Sequence, residues 1–238
     1  MKAFLLAAGV GSRLRPITDT IPKCMLVIDG RPLLDIWLDE FHRAEIDEVL
    51  VNLHHLPDVV RDHLAARTRP PAVRTVFEPA LLGSAGTLAA NRRWVAGEEM
   101  FLACNADNLT DFDLRSLVGT HLRGGAIATL TVFHSERPAA CGIVELDAAS
   151  RVIGFEEKPS QPRSDLANAG MYALHPSVLD EIGSAQGVDN GPVDIGYHLL
   201  PLLVGRAKAI QVPGYFRDVG TVSAYQRARQ EWPARVRR

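Results

Sequence analysis

The first half of the chain alternates short apolar runs with segments whose apolar residues recur every three or four positions. Residues 31–44 are predicted to form a helix, because Leu34, Leu38 and Phe41 fall on one face. The same pattern predicts strands at residues 3–8, 48–53, 73–78 and 100–104, and helices at 57–66 and 84–95. Strands separated by helices of this length imply a parallel sheet with right-handed crossovers.

The second half consists of shorter β-rich runs separated by turn residues. The pattern predicts strands at residues 126–133, 142–146, 152–156, 171–174 and 207–212, and helices at 193–204 and 222–232. We expect the first four of these strands to be antiparallel and to cover the edge where the parallel strands end. The predicted fold is α/β: a Rossmann-like, mostly parallel sheet flanked by helices, with a small β-rich substrate-binding lobe. A single domain over residues 1–238 is expected, with a nucleotide-binding half at 1–110 and a substrate half at 111–238.

The first predicted strand leads into a glycine-rich loop lined by cations. Gly9 and Gly11 have no Cβ to obstruct an anion approaching the backbone N–H groups, and Arg13 and Lys23 add fixed positive charge. The dinucleotide fingerprint requires a third glycine where Leu14 stands, and the Gly-Lys-Ser/Thr end of a P-loop is missing from the segment. The loop therefore predicts a polyphosphate site, with a tight turn bearing surface arginines as the alternative.

Composition restricts the partners and the compartment. The formal net charge of the 238 residues is −2, which gives no reason to expect nucleic acid or an anionic membrane as a partner. The three cysteines are far apart in the sequence and lack zinc-ligand or redox spacing, which favours a reduced cytoplasmic protein. The apolar runs are shorter than the roughly 18 residues of a membrane span.

Two aspartates follow predicted strand ends. Asp107 comes after the buried run 100–104, and Asp218 follows a second apolar segment. One or two carboxylates beside phosphate oxygens are what Mg²⁺ needs, while caps of a turn or helix are the alternative. His54, His55 and His63 have no carboxylate or cysteine at zinc-site spacing, so they are interpreted as solvated or helix-capping residues.

Seven motifs, in order along most of the chain, resemble the sugar-phosphate nucleotidyltransferases, also called sugar-nucleotide pyrophosphorylases. They are residues 6–18 with Pro22 and Lys23, similar to the triphosphate signature; Glu78-Pro79 with 82–88, similar to the base-recognition segment; 105–107, similar to the metal-binding Asn-Gly-Asp; 141–144, similar to Tyr-Gly-Val-Val; 155–159 and 168–172, similar to two sugar-phosphate motifs; and 218–221, similar to Asp-Ile-Gly-Thr.

The resemblance implies a GT-A-like fold and a Mg²⁺-dependent reaction. In that reaction a nucleoside triphosphate and a sugar 1-phosphate give a nucleotide sugar and pyrophosphate. The compact segment 82–86 is most like that of guanylyltransferases acting on mannose or heptose 1-phosphates, so GTP is the expected nucleotide. Thymidylyl, uridylyl and cytidylyl transfer, and a glucose or amino-sugar phosphate, stay open.

The resemblance also implies roles for individual residues. The catalytic set is Arg13, Lys23, Asp107 and Asp218, of which Asp107 and Asp218 hold the metal. The nucleotide-binding set adds Ala7, Ala8, Gly9, Gly11, Ser12, Glu78, Gly83 and Gly86. The sugar-phosphate set is Gly142, Glu157, Lys158, Asn168 and Asp218.

Two departures and two rival functions accompany this assignment. Ala106 stands where the family has a glycine. Cys141 stands where the family has an aromatic residue, which leaves the identity of the sugar open.

A non-catalytic, nucleotide-sensing regulatory relative would be expected to have lost Arg13, Lys23 or a metal aspartate. A dinucleotide-dependent oxidoreductase is disfavoured by Leu14. Small-molecule substrates are the expected partners, and a homo-oligomer is allowed.

Overall fold

A computed structural model describes residues 1–185 and 191–232 of the chain, so residues 186–190 and 233–238 of the predicted domain lie outside the described residues. The strands of the described residues are β1 (Lys2–Leu6), β2 (Val27–Ile28), β3 (Arg31–Pro32), β4 (Glu48–Leu53), β5 (Ala72–Phe77), β6 (Phe101–Asn105), β7 (Asn108–Thr110), β8 (Ala128–His134), β9 (Gly142–Leu146), β10 (Val152–Glu157), β11 (Leu166–Leu174), β12 (Ala207–Gln211) and β13 (Phe216–Asp218). The helices are α1 (Leu33–Arg43), α2 (Pro57–Ala65), α3 (Ser84–Ala90), α4 (Arg92–Val95), α5 (Leu114–Gly124), α6 (Val178–Ala185) and α7 (Val222–Glu231).

The chain divides into two compact units that are discontinuous in sequence. The first unit comprises Met1–Leu81, Cys104–Leu114 and Gly214–Arg238, and the second comprises Leu82–Ala103 and Arg115–Pro213. The nucleotide-binding half at residues 1–110 and the substrate half at 111–238 stay predictions. That both units belong to one domain stays a prediction.

Parallel strands form the sheet of the first unit, as the alternation of strands and helices predicts. β1 pairs with β4, and β4 pairs with β5, both in parallel. Leu6 at the end of β1 lies opposite Asn52, which in turn lies opposite Val76 near the end of β5. The Ala106 N–H, just after β6, donates to the Leu6 carbonyl at 3.1 Å. The segments that follow β1, β5 and β6 therefore meet at one edge, where ligands bind in sheets of this kind.

A second, two-stranded element of the first unit contains Asp218, and Asp107 directly precedes its first strand. β7 pairs antiparallel with β13, which sets Asn108 opposite Asp218. The indole N–H of Trp37 on α1 donates to the Asn108 carbonyl at 2.8 Å and ties the pair to the helix. Beneath it lies an apolar cluster of Leu14, Leu26, Ile28, Leu33, Ile36, Leu109, Tyr215, Val219, Ala228 and Trp232.

The second unit is mostly antiparallel, as predicted for the short runs of the second half. β11 pairs antiparallel with β8 and with β9, β9 pairs antiparallel with β10, and β12 joins β8 in parallel. The chain therefore has the mixed α/β fold that the sequence predicts, with a mostly parallel central sheet flanked by helices.

Several helix boundaries differ from the prediction for local reasons. The predicted helix 31–44 begins at Leu33, because Arg31–Pro32 pairs with Val27–Ile28 as a short hairpin. The predicted helix 84–95 breaks at Asn91, whose side chain donates to the Thr87 carbonyl at 2.9 Å. The predicted helix 193–204 is a single π-helical turn, Ile195–Leu199, followed by a 3-10 turn, Leu200–Leu203. A proline has no N–H to donate and cannot continue a helical ladder, and residue 201 is Pro201.

Two general expectations about the chain can be compared with the structure. In the described parts of the chain, no helix is long and apolar enough to cross a bilayer. Cys24 and Cys104 are buried free thiols, and Cys141 is a half-buried one. The cytoplasmic location stays a prediction.

Glu40 on α1 is a carboxyl whose burial makes stability depend on pH. Desolvation raises its pKa from 4.5 to about 7, opposed by Arg43 and reinforced by Asp113, Asp39 and Asp111. Because the ionised form is disfavoured in the folded state, stability is greatest below the unfolded pKa and falls as pH rises from about 4.5 to 7. We expect Glu40→Gln to remove that fall and to be more stable than the wild type at pH 8 by on the order of 2 kcal/mol.

Thermal unfolding of wild type and Glu40→Gln at pH 5 and pH 8 measures this effect. The matched control is Asp58→Asn, which removes the acid of another i,i+3 pair with an arginine, Arg61, but from a carboxyl that is 81% exposed. The control is expected to leave the pH dependence unchanged. Parallel pH profiles for wild type and Glu40→Gln would contradict the burial argument.

Candidate active site

The loop after β1 has the backbone shape that its glycines predict. Gly11 adopts a φ of 64°, in the left-handed region, and a Cβ there would lie 2.8 Å from a methyl carbon of Thr18. The Thr18 hydroxyl donates to the Gly11 carbonyl at 2.8 Å and fixes the turn. Gly9 and Ser12 are exposed at the rim of this loop, while Ala8 is buried beneath it.

Lys23 and Asp107 form an ion pair at the carboxyl edge of the first unit. Lys23 begins a short 3-10 turn after Pro22 and is 91% buried, so its ammonium is directed by the surrounding structure. The backbone N–H of Val219 donates to the carbonyl of Asp107 at 2.8 Å. The sequence predicts both residues to be functional, and the fold brings their charged ends together. Ala106, the departure from the family pattern, is not among the positive-φ residues, so alanine brings no such strain there.

Arg13 and Asp218 converge over Gly220. A Cβ built on Gly220 would lie 2.6 Å from Asp218 Oδ1 and 3.0 Å from Arg13 Nη2. Both charged side chains are exposed, yet each is followed in sequence by a fully buried apolar residue, Leu14 or Val219. The apolar cluster therefore holds the backbone of two charged residues that are 205 positions apart in the chain (218 − 13).

Asn52 is a buried polar residue that joins two of the segments meeting at this edge. Its Oδ1 accepts the Ala7 N–H at 2.7 Å, and its Nδ2 donates to Glu78 Oε1 at 2.9 Å. Asn52 is 4% exposed and Glu78 2%. The ring of His54 hydrogen-bonds to the Glu78 carbonyl at 2.7 Å through Nδ1. The start of the glycine loop and the predicted base-binding carboxylate are thereby fixed relative to each other.

In the second unit, the predicted base-recognition segment 82–88 is hydrogen-bonded to residues 193–195. Gly83 has a φ of 80°, and a Cβ on it would lie 2.7 Å from the Val193 backbone nitrogen, so this position requires glycine. The N–H groups of Ala85 and Gly86 donate to the Val193 carbonyl at 2.9 and 3.0 Å. The Ser84 hydroxyl donates to the Asp194 carboxylate at 2.8 Å.

Glu157 and Lys158 lie side by side at the end of β10. The Lys158 ammonium is 3.5 Å from Glu157 Oε1. Burial raises the pKa of the Glu157 carboxyl above its ordinary value, the Lys158 ammonium opposes that rise, and Asp194 adds to it. A Cβ on Gly142 would lie 2.5 Å from Glu157 Oε2, and a Cβ on Gly196 would also collide with that oxygen.

Asn168, the remaining member of the predicted sugar-phosphate set, is held on β11. Its Nδ2 donates to the Tyr172 hydroxyl at 2.6 Å, and its Oδ1 accepts the Gly170 N–H at 3.0 Å. These bonds fix the side chain at an irregularity in the pairing of β11 with β8.

The three histidines are anchored to the protein rather than solvated or capping. Besides the contact of His54 with the Glu78 carbonyl, His55 Nε2 lies 2.6 Å from the Thr18 carbonyl and His63 Nε2 lies 3.0 Å from Asp35 Oδ1. Their ring nitrogens are therefore engaged in separate structural contacts.

The carboxylates of the first unit have a donor chemistry that fits a magnesium ion. Asp107 and Asp218 supply hard oxygen donors from two adjoining segments, which the β7–β13 pairing and the Val219–Asp107 hydrogen bond hold together. Among the described residues, no group of three or more His, Cys, Asp or Glu side chains could hold a metal ion. Two carboxylates suit Mg²⁺ only when phosphate oxygens and waters complete its shell.

The fold and these contacts define an α/β protein with a cationic glycine loop at the carboxyl edge of parallel strands. The sequence profile of the nucleotidyl transferase family matches residues 2–234, and the chain belongs to that family. The family predicted from the motifs is thereby confirmed.

The names of two relatives specify different substrates. The chain is 32% identical to a UTP–glucose-1-phosphate uridylyltransferase of Synechocystis, with 96% of this chain and 62% of that protein aligned. It is 29% identical to mannose-1-phosphate guanyltransferase beta-B of Xenopus laevis, with 92% and 61% aligned. The chain therefore spans about three fifths of the length of these two relatives.

A solved structure confirms the fold. The crystal structure of a chain designated a glucose-1-phosphate thymidylyltransferase from Bacillus anthracis, in complex with sucrose, superposes with a TM-score of 0.87 at 24% identity. The match covers 97% of this chain and 94% of that one.

Two residues with contacts at these sites are absent from the sequence prediction. Asn52 gives a signal in the sequence, because it is the one amide within the apolar run 49–53 and a buried polar residue must find partners. Tyr197, whose ring centroid lies 5.4 Å from the Lys158 ammonium, gives no such signal, because it lies in a segment whose pattern predicts an ordinary helix.

We expect Asn52→Leu to lower the free energy of unfolding by about 3 kcal/mol, because the Ala7 N–H and the buried Glu78 carboxylate each lose a partner. Urea denaturation at pH 7 measures this. The control is the double variant Asn52→Leu/Glu78→Met, which replaces both partners with apolar groups and should lose less than the single variant. A loss below about 1 kcal/mol for Asn52→Leu would show that the bridge is not a stabilising element.

Proposed function

We propose that this protein transfers a nucleotidyl group from a nucleoside triphosphate to a sugar 1-phosphate, with Mg²⁺, and releases pyrophosphate. The observation that carries the proposal is that a loop cation lies near each predicted metal aspartate: Lys23 forms an ion pair with Asp107, and Arg13 and Asp218 both reach Gly220. Membership of the nucleotidyl transferase family supports the reaction class.

The reaction needs charge neutralisation more than acid–base chemistry. An oxygen of the sugar phosphate attacks the α-phosphorus of the triphosphate, the bond from that phosphorus to the bridging oxygen of the β-phosphate breaks, and pyrophosphate leaves with the electron pair. The attacking phosphate is largely dianionic near neutral pH, since its second pKa is about 6, so no base has to remove a proton. The barrier is the approach of two anions, which positioned cations lower.

The residues of the first unit are suited to the triphosphate. In the proposal, the glycine loop offers backbone N–H groups to the phosphates, Arg13 holds the β- and γ-phosphates, and Lys23 contacts the α-phosphate. Asp107 and Asp218 would hold Mg²⁺, which supplies positive charge for the phosphate oxygens of both substrates. Because Lys23 is buried, its side chain loses little conformational freedom when the substrates bind.

The residues of the second unit are suited to the sugar phosphate and the base. Lys158 would neutralise the sugar phosphate, and Glu157, Asn168 and Gly142 would contact sugar hydroxyls. Gly83 and Gly86 would let the base lie close to the backbone.

For the substrates themselves, we propose GTP with a mannose or heptose 1-phosphate. The guanyltransferase among the relatives supports this pair, while the uridylyltransferase at similar identity keeps UTP and glucose 1-phosphate as the alternative.

Pyrophosphate release from the purified protein tests the proposal. GTP, dTTP, UTP, CTP and ATP are each combined with mannose, glucose, heptose and amino-sugar 1-phosphates in the presence of Mg²⁺. Release that requires both substrates and is strongest for one pair is the expected result, and it names the base and the sugar together. Triphosphate binding without release in any pair would instead favour the regulatory relative.

We expect Asp107→Asn to lower kcat with Mg²⁺ by at least about a hundredfold, because a neutral amide is a poor ligand for a metal that stabilises transferred charge. The control is Asp29→Asn, an exposed aspartate of the same unit whose left-handed backbone (φ 48°) suits asparagine equally well. It should leave the rate unchanged. An Asp107→Asn variant that folds normally and stays within about tenfold of the wild-type rate would remove Asp107 from the metal site.

A further inference from the structure

The Lys158 ammonium has a second neighbour besides the Glu157 carboxylate. It lies 5.4 Å from the centroid of the Tyr197 ring, within the range of a cation–π contact. The Lys158 side chain is 53% exposed and Tyr197 is 54% exposed, so neither residue is placed by burial in a core. The backbone of Lys158 is itself in the left-handed region, with a φ of 49°, which sets the direction in which its side chain leaves β10.

The Tyr197 ring extends from a turn whose backbone is held by several contacts. The π-helical turn Ile195–Leu199 follows Asp194, whose N–H donates to His198 Nδ1 at 2.8 Å, and the His198 ring is 6.3 Å from the Tyr197 ring. The neighbouring Gly196 packs so closely on Glu157 that a Cβ would collide with its carboxylate. Such π-helical turns are rare and often occur at functional sites.

The same turn is anchored to the predicted base-recognition segment. The Ile195 N–H donates to the Ser84 hydroxyl at 2.8 Å, and that hydroxyl donates to the Asp194 carboxylate. The backbone of the turn that carries Tyr197 is thus hydrogen-bonded to Ser84 on one side and packed against Glu157 on the other.

We propose that Tyr197 is a positioning residue that holds the Lys158 ammonium toward the phosphate of the sugar 1-phosphate, an inference that rests on the proposed function. A carboxylate alone would orient the ammonium but also neutralise it. An aromatic face attracts the ammonium through its quadrupole and leaves the full positive charge available to a phosphate. A free lysine side chain samples many rotamers, so a ring on one side and a carboxylate on the other reduce the ordering required when the substrate binds.

The contact itself is testable by NMR without any substrate. The chain contains four lysines, so reductive methylation with ¹³C gives few signals, and the Lys158 signal is assigned by its loss in Lys158→Gln. In the wild type, the ring current of Tyr197 should shift this signal upfield from that of an exposed lysine. Tyr197→Phe, which keeps the aromatic face, should preserve the shift, and Tyr197→Leu should abolish it.

The consequence for the substrate is measured by steady-state kinetics with the substrate pair that the pyrophosphate assay identifies. Tyr197→Leu should raise KM for the sugar 1-phosphate about fivefold and leave KM for the triphosphate unchanged, and Tyr197→Phe should restore the wild-type value. The matched control is Arg229→Gln in the first unit, which removes another tyrosine–cation contact, with Tyr225 at 5.7 Å, by changing an exposed arginine, and should change neither KM.

A Lys158 signal that is the same in Tyr197→Leu and wild type, or an unchanged KM for the sugar 1-phosphate in Tyr197→Leu, would overturn the assignment. A wild-type protein that releases no pyrophosphate with any pair would contradict the proposed function instead. The methyl signal of Lys158 would in that case still decide whether the ring holds the ammonium.

Discussion

The first unit depends on holding charged side chains together where parallel strands end. Ion pairs at a solvent-exposed surface contribute little to stability by themselves, because solvent screens the charges and the side chains must be ordered. Here the ordering is done by neighbours: Leu14 and Val219 are buried in one apolar cluster, and Arg13 and Asp218 are their immediate predecessors. Lys23 is ordered by its own burial. The apolar cluster and the charged edge are therefore consequences of one packing arrangement.

In the second unit, close approach of the backbone brings separate segments into contact. Glycines at positions 83, 142 and 196 leave no room for a Cβ, which brings the Val193 backbone and the Glu157 carboxylate into contact with segments that are distant in sequence. Hydrogen bonds join Ser84 to Asp194 and Ile195 at the start of the π-helical turn, and Tyr197 of that turn contacts Lys158. If the proposed function holds, the segments assigned to the base and to the sugar phosphate are mechanically linked within this unit.

The sequence predicts the regular parts of this molecule well because they follow simple periodicities. The parallel strands, their helices and the ordering of motifs along the chain are all visible as patterns. The departures occur where tertiary contacts override those patterns: the β7–β13 pair joins segments too short to show alternation, and Pro201 helps divide a predicted helix into two turns. Asn52 could have been found as a polar residue in a buried run, whereas the role of Tyr197 follows only from the position of Lys158.

The cations and carboxylates at this edge are proposed to serve transfer of a nucleotidyl group. The most direct measurement follows α-³²P and γ-³²P labels of the triphosphate through a single turnover with the sugar 1-phosphate. Nucleotidyl transfer predicts that the α label appears in a sugar-linked nucleotide and the γ label in pyrophosphate. Release of the γ label as inorganic phosphate, or its transfer to the sugar, would contradict the account, because the site would then act on the terminal phosphate.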